Sequence, residues 1–366
     1  MPSLLGGSGV QDDILRLAFE VHRPTEEKID VIDALTRRTK VLSLNARIEA
    51  CRAGEDGAAF GVVGQEMSEF AREVAQLATE LRHLIATNTD QIRSAGEEMV
   101  QDLRGARYAD LSRNVVEIMD RNLYERSCDV RWWATDSAIV DAATGNDESA
   151  HALACERLAT ILRSYTVYLD LWVADSSGRV VAQGRGSRYR GIIGQDVSRS
   201  QWFRKALETA SGDAFAVCDI DREPLLDNAA AAVYSTAICE NGDTLGKPIS
   251  GLAIVFDWQP QAQDVVQNVA LTDEEKSSCR VMLLNAQHRV IASSDGAGLL
   301  SEHFPLAIND PRRGYYRSGD SLVSYALTPG YETYKGLGWY GCIESAAEDF
   351  ETSGGWSRAA ATPRAY

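Results

Sequence analysis

The feature that most limits what this chain can fold into is a proline-free stretch from about Thr25 to Leu103 whose apolar residues recur at alternating steps of three and four. On its second half the pattern runs unbroken through Phe60, Val63, Met67, Phe70, Val74, Leu77, Leu81 and Leu84. A weaker copy precedes it at Ile32, Leu35, Thr39, Leu42, Ala46 and Glu49. An apolar repeat of seven held this long makes a coiled-coil seam rather than one face of a globular helix. Between the copies lies Ala53-Gly54-Glu55-Asp56-Gly57, where two glycines can end one helix and turn the chain. Pro24 and Thr25, followed by Glu26 and Glu27, give a start signal, because proline suits a first helical turn and carboxylates there favour the helix dipole. The pattern therefore predicts an N-terminal segment at 1–24 and an antiparallel helical coiled-coil hairpin over 25–107, with its tip near 54–57. Past Leu84 the seam shifts by one position through Ile85, Ile92, Met99 and Leu103, as in a stutter. Helical periodicity then resumes from Ala109 to about Ala142 and predicts a connecting helix over 108–145.

After Asn146 the period changes. Tyr168–Ala174 reads as a strand, Asp175–Gly178 as a turn, and Arg179–Ala182 as the returning strand. Further strands are predicted near Ala214–Cys218, Ala230–Cys239 and Ile249–Trp258, with a helix at Ser200–Ala210. A second strand-turn-strand opening follows at Cys279–Leu284 and Arg289–Ala292, then strands at Leu322–Leu327 and Gly336–Ile343. The repeated order, an apolar run, a turn and Arg-Val-(Val/Ile)-Ala, points to a tandem repeat of one module. The fold class is α+β and multidomain: the hairpin, then two α/β modules with antiparallel sheets at 146–262 and 263–347, then a Ser-, Gly- and Ala-rich tail at 348–366 expected to be disordered.

Composition narrows the function. A net charge of -16 argues against nucleic acid, whose binding needs clustered cations, and against an anionic membrane surface. The seven cysteines lie far apart with no CxxC pair, which predicts reduced thiols and no metal site. The opening MPSLLGGSGVQDD has neither a basic start nor a long apolar run, and no segment approaches the roughly 20 apolar residues a spanning helix needs. A cytoplasmic chain without a membrane span is the expectation. No phosphate loop, nucleophile elbow or clustered His/Cys/Asp set is present, so neither an enzyme nor a bound cofactor is expected.

The segment from Thr39 to Val63, TKVLSLNARIEACRAGEDGAAFGVV, resembles the hairpin tip of methyl-accepting chemotaxis proteins, most closely at Leu42, Leu44, Asn45, Glu49, Arg52, Gly54, Glu55, Gly57, Phe60 and Val63. The resemblance implies that the tip packs receptor dimers together and docks a histidine autokinase and its coupling protein. The contact residues it points to are Val41, Leu44, Asn45, Ile48, Glu49, Arg52 and Val62. Their chemistry suits that role: Glu49 and Arg52 are one turn apart and can pair, and Val41, Leu44, Ile48 and Val62 lie off the main seam as an apolar patch. The sequence departs from the family at Arg37, Arg38 and Lys40, where an aromatic, Gln and Asn are usual. Three cations there would repel in a tight trimer unless acidic partners met them.

From about Ala150 to Ile343 the chain resembles a double Cache sensor, a tandem of PAS-like modules. The carrying motifs are LWVADSSGRVV from Leu171, IGQDV from Ile193, QWFRKA from Gln201 and GLAIVFD from Gly251. The resemblance implies a small-molecule site in the first module, with Trp202 and Phe203 as an aromatic wall and Asp257 as a clamp for a ligand amine. Ser200 stands where amino-acid-binding members carry Arg, with Arg199 adjacent. Asp219, Asp221 and Tyr234 are further candidates for the same cleft. The expected function is a chemoreceptor-like transducer, at least dimeric through its helices. The alternative is a dimeric sensor scaffold that no longer controls a chemotaxis kinase.

Overall fold

The computed structural model of the chain describes residues 7–145 and 147–346, with side chains from Arg23 onward. The tail expected at 348–366 lies outside the described residues. The chain divides into two compact units, Met1–Arg104 and Gly105–Tyr366.

The first unit is a helical hairpin. Helix α1 (Gly7–Arg52) leads to a 3-10 turn at Gly54–Gly57, and α2 (Ala58–Trp133) returns. Gly54 enters the turn at φ +61, a conformation that suits a residue without Cβ. The helix start expected at Pro24 is corrected: Pro24 lies inside α1. Proline removes one backbone donor, and the helix continues past it on the remaining ladder.

The seam is also not the one the large side chains suggest. Between the arms the chain buries Ile29, Thr36, Ser43 and Ala50 of α1 and, opposite them, Gly57 at the end of the turn with Gly64, Ala71 and Ala78 of α2, each set spaced by seven. Phe60, Phe70, Leu77 and Leu84 are instead 55–69% exposed in a single chain. Size explains the exchange. Small residues let two helices approach until a Cβ on Gly57 would collide with the Ala50 carbonyl oxygen, and one on Gly64 would stand 2.7 Å from Arg47 Cγ. Large apolar side chains do not fit that gap and line its flank. Arg82 bridges the arms to Asp30 and Asp33, each at 3.0 Å.

The second unit contains residues 105–133 of α2, helices α3 (Ser137–Thr144), α4 (Glu148–Ser164), α5 (Gln201–Leu207), α6 (Trp258–Gln267) and α7 (Asp273–Ser278), and two sheets. The first sheet is built from β1 (Tyr168–Ala174), β2 (Val180–Gln183), β3 (Ala216–Glu223), β4 (Ala229–Cys239) and β5 (Pro248–Asp257). The second is built from β6 (Cys279–Leu284), β7 (Val290–Ser293), β8 (Arg313–Ser318), β9 (Ser321–Leu327) and β10 (Tyr340–Ala346). Their orders, β2-β1-β5-β4-β3 and β7-β6-β10-β9-β8, are the same arrangement repeated. The helix expected separately at 108–145 is instead the continuation of α2 to Trp133, followed by the short α3.

One core runs from Tyr108, Val115, Met119, Leu123 and Val130 of α2 into both sheets. The helix lies directly on the second sheet: Ser112 Oγ donates to the Ser324 carbonyl at 3.4 Å, and Ser324 Oγ donates to the Gly105 carbonyl at 3.2 Å. Two buried carboxylates fix it further along. Asp120 accepts from the Thr328 hydroxyl and from the Gly330 N–H at 2.7 Å, and Asp129 accepts from the Tyr168 hydroxyl. Burial pushes both carboxyls above the usual range, against the pull of those hydrogen bonds.

Candidate functional site: the hairpin tip and the sensor face

At the tip, helical spacing sets Val41, Leu44 and Ile48 on one face of α1, and all three are 44–58% exposed. Val62, on the first turns of α2, is 60% exposed. Asn45 is exposed too, and Arg52 Nη1 donates to Glu49 Oε1 at 2.9 Å on the open surface. The pair anticipated from the one-turn spacing is therefore formed within the helix. The tip offers apolar side chains beside a fixed charge pair, a surface able to bind another protein.

In the second unit, β5 organises the first sheet's outer face. Strand alternation turns Gly251, Ala253, Val255 and Asp257 one way and Leu252, Ile254 and Phe256 toward the common core. On the outer face α5 packs so closely over Gly251 that an added Cβ would meet Phe203 Cδ2 and Ala206 Cβ at 3.3 Å. Trp202 and Phe203 are buried there, ring centroids 5.6 Å apart, and Trp202 lies 6.3 Å from Trp172. Ser235 Oγ donates to the Trp202 carbonyl at 2.9 Å. Ser200 accepts from the Phe203 N–H at 3.4 Å, so at the position where an arginine is usual this chain has the N-cap of α5. Arg199, just before it, is exposed.

Asp257 ends β5 on the same face, its N–H donating to the Val167 carbonyl at 2.9 Å. It lies four residue steps beyond Ala253, about 13 Å along the strand. Its carboxylate makes no hydrogen bond or ion pair among the described residues. Burial raises its pKa, opposed by the Arg188 and Arg185 guanidinium groups. Trp202 and Asp257 thus bound two ends of one apolar face, floored by Ala231, Val233 and Val255 and packed with Tyr189, Ile192 and Leu226.

Three expected companions are not part of that face. Tyr234 points to the opposite side, because β4 turns Ala231, Val233 and Ser235 toward α5 and its even-numbered neighbours inward. Its hydroxyl lies 3.4 Å from that of Tyr334 in the second module. Asp219, at the irregularity between Cys218 and Asp221 in β3, accepts from Asn285 Nδ2 at 2.7 Å and Trp339 Nε1 at 3.2 Å. Asp221 is exposed and lies 3.8 Å from Arg289. These groups join the two modules.

Sequence reasoning missed Asp170. This fully buried carboxylate accepts from the backbone N–H of Leu171, Gly184 and Arg185 at 2.8–3.0 Å, and from Trp172 Nε1 and Gln183 Nε2 at 3.1 Å. It anchors the loop that carries Arg185, Arg188 and Tyr189 next to Asp257. The signal was one acid inside the apolar run YLDLWVA.

Residues 20–123 match the family model described as methyl-accepting chemotaxis protein (MCP) signalling domain. These residues are thus similar to a chemoreceptor signalling domain. Over 103 residues it is 37% identical to the methyl-accepting chemotaxis citrate transducer of Salmonella typhimurium, covering 25% of this chain and 19% of that one. Methyl-accepting chemotaxis protein I of Escherichia coli K12 is 33% identical over 105 residues, covering 26% and 19%. The chain thus spans about a fifth of the length of the curated relatives it matches. Among solved structures, the sensor domain of the V. cholerae histidine kinase DctB superposes with a TM-score of 0.50 at 11% identity, covering 67% of this chain and 97% of that domain. The likeness is one of fold, and it agrees with the two sheets of repeated strand order. No described helix is long and apolar enough to cross a membrane.

Proposed function

We propose that this chain is a cytoplasmic chemoreceptor-type transducer. In this reading a small molecule binds the first module, at 146–262, and the hairpin tip controls a histidine autokinase through its coupling protein. The observation that carries it is the continuity of α2, one helix from Ala58 at the signalling tip to Trp133 in the sensor. Within the sensor unit that helix is tied to both modules, through Ser112 and Asp120 to the second and through Asp129 and Tyr168 to the first. A ligand changes kinase activity only if it binds two states of this assembly with different affinity, and a helix shared by sensor and output gives both ends the same two states. Trp202, Phe203 and Asp257 are the proposed ligand contacts, with the Asp257 carboxylate offered to a cationic nitrogen. Glu49, Arg52, Val41, Leu44, Asn45, Ile48 and Val62 are the proposed protein contacts. The exposed apolar flank of the hairpin, with Phe60, Phe70, Leu77 and Leu84, is assigned to a second copy, since it is too large to leave in water.

Co-purification with a chemotaxis autokinase and its coupling protein tests the output half. The intact chain should form the ternary complex, and Glu49→Ala or Arg52→Ala should weaken it while leaving the sensor's melting temperature unchanged. The scaffold reading rests on Arg37, Arg38 and Lys40, exposed and without partners among the described residues. It is favoured if the chain dimerises and binds ligand but neither protein joins it.

A further inference from the structure

Two grooves flank the small-residue seam of the hairpin, and they differ in chemistry. One holds the large apolar side chains. The other, about 500 Å³, has a floor of small residues such as Thr36 and Ala71 and is lined by Arg37, Lys40, Arg47 and Arg72. It also holds two carboxylates: Asp33 is paired with Arg82 at 3.0 Å, and Glu69 accepts from the neutral amide of Gln65 at 2.7 Å and keeps its charge, so the lining cations outnumber the acids four to two. The four cations make no hydrogen bond or ion pair among the described residues. In a chain of net charge -16 this is a local reversal of sign.

The arrangement has a period. Lys40 and Arg47 are seven residues apart, about 10.5 Å along the helix. On the outer side of α2, Glu66, Glu73 and Glu80 repeat at the same interval, all exposed. Glu66 and Glu73 have no partner among the described residues, and Glu80 accepts only from Gln76 at 2.9 Å. A compact anion would engage one end of so extended an array, whereas a helix with carboxylates one heptad apart matches its length. The chain itself carries such a helix.

We propose that the Lys40–Arg47 groove of one hairpin receives the Glu66–Glu73–Glu80 face of α2 from a second copy. Each hairpin then packs beside the next through charge, on surfaces separate from the apolar flank. The contact is heterologous: each copy keeps a free groove and a free acidic face, so association continues in rows instead of closing. Single exposed pairs contribute little, which is why an in-register array is needed, and why salt should dissolve it. This inference needs the hairpin only and stands or falls apart from kinase control.

Sedimentation velocity on the full chain across micromolar concentrations tests it. Species larger than the dimer should form at low salt, and their association constant should fall about tenfold or more at high salt. Lys40→Glu with Arg47→Glu should abolish them, and so should Glu66→Lys with Glu73→Lys. Mixing these two inert proteins should restore association, because each then presents the charges the other lacks. Helical circular dichroism checks that both remain folded; should either unfold, the neutral pair at the same positions, Lys40→Gln with Arg47→Gln or Glu66→Gln with Glu73→Gln, replaces it and should still weaken the association. Absence of species beyond the dimer at low salt, association indifferent to the reversals, or a mixture that stays inert would each overturn the proposal.

Discussion

At the scale of single residues, the informative groups are carboxylates whose surroundings set their use. Asp257 is half-buried, without a hydrogen-bond or ion-pair partner for its carboxylate among the described residues, and burial raises its pKa. A ligand amine at that position would supply the missing partner. For an amine ligand found by thermal shift, Asp257→Asn should lower affinity roughly tenfold or more, since a hydrogen bond to a charged group contributes about 1.5–3 kcal/mol. Calorimetry with an unchanged melting temperature checks this. Asp120 has no such opening, being occupied by Thr328 and Gly330. Its carboxyl pKa is raised in the folded state, so the folded chain holds the proton more tightly than the unfolded one. The stability this contributes is complete below the ordinary carboxylate pKa and is lost as pH rises through the raised value. Asp120→Asn stays neutral and can keep both contacts, so its melting temperature should gain on the parent's as pH rises from about 4. Scanning calorimetry across pH would show a constant gap if the side chain did not titrate. Such roles were only partly legible in the sequence. Trp202, Phe203 and Asp257 follow from the resemblance, which names positions without saying which face of the sheet they share. Tyr234 and Asp219 could not be excluded, because the side a strand residue faces depends on register and bulges that long-range pairing decides.

At the scale of elements, the hairpin shows what periodicity reveals and what it hides. The repeat of seven announced a coiled coil, and the glycines announced its turn. Which line of residues closes the hairpin was hidden, because Thr36, Ser43, Gly64 and Ala71 carry no hydrophobic signal, while Phe60 to Leu84 carry a strong one that belongs to another surface. Close packing makes a sharp prediction. Gly57→Ala forces a methyl into the Ala50 carbonyl, and the arms must separate at a cost of about 1–3 kcal/mol. Gly61→Ala, whose methyl would meet only Ala50 Cβ at 3.7 Å, should be neutral or stabilising by up to about 1 kcal/mol. Thermal melts followed by circular dichroism should separate the two, and equal behaviour would mean the arms are not in contact at Gly57. In the second unit, strands with apolar runs were readable, whereas β8, RGYYRS, was missed because it is a half-exposed edge strand with no alternation.

At the scale of the whole molecule, α2 runs from the hairpin into the unit of two repeated sheets. The apolar flank predicts at least two chains per particle, insensitive to salt, by light scattering at micromolar concentration; a stable monomer would remove the partner surface from the account. The central claim is that sensor occupancy sets kinase activity through α2, and autophosphorylation measured in a mixture of this chain, a chemotaxis autokinase and its coupling protein tests it most directly. A metabolite that raises the sensor's melting temperature should change the phosphorylation rate. That change should vanish with Asp257→Asn through lost binding, and with Arg52→Ala while binding persists. A kinase rate that ignores a ligand bound at saturation would contradict the account.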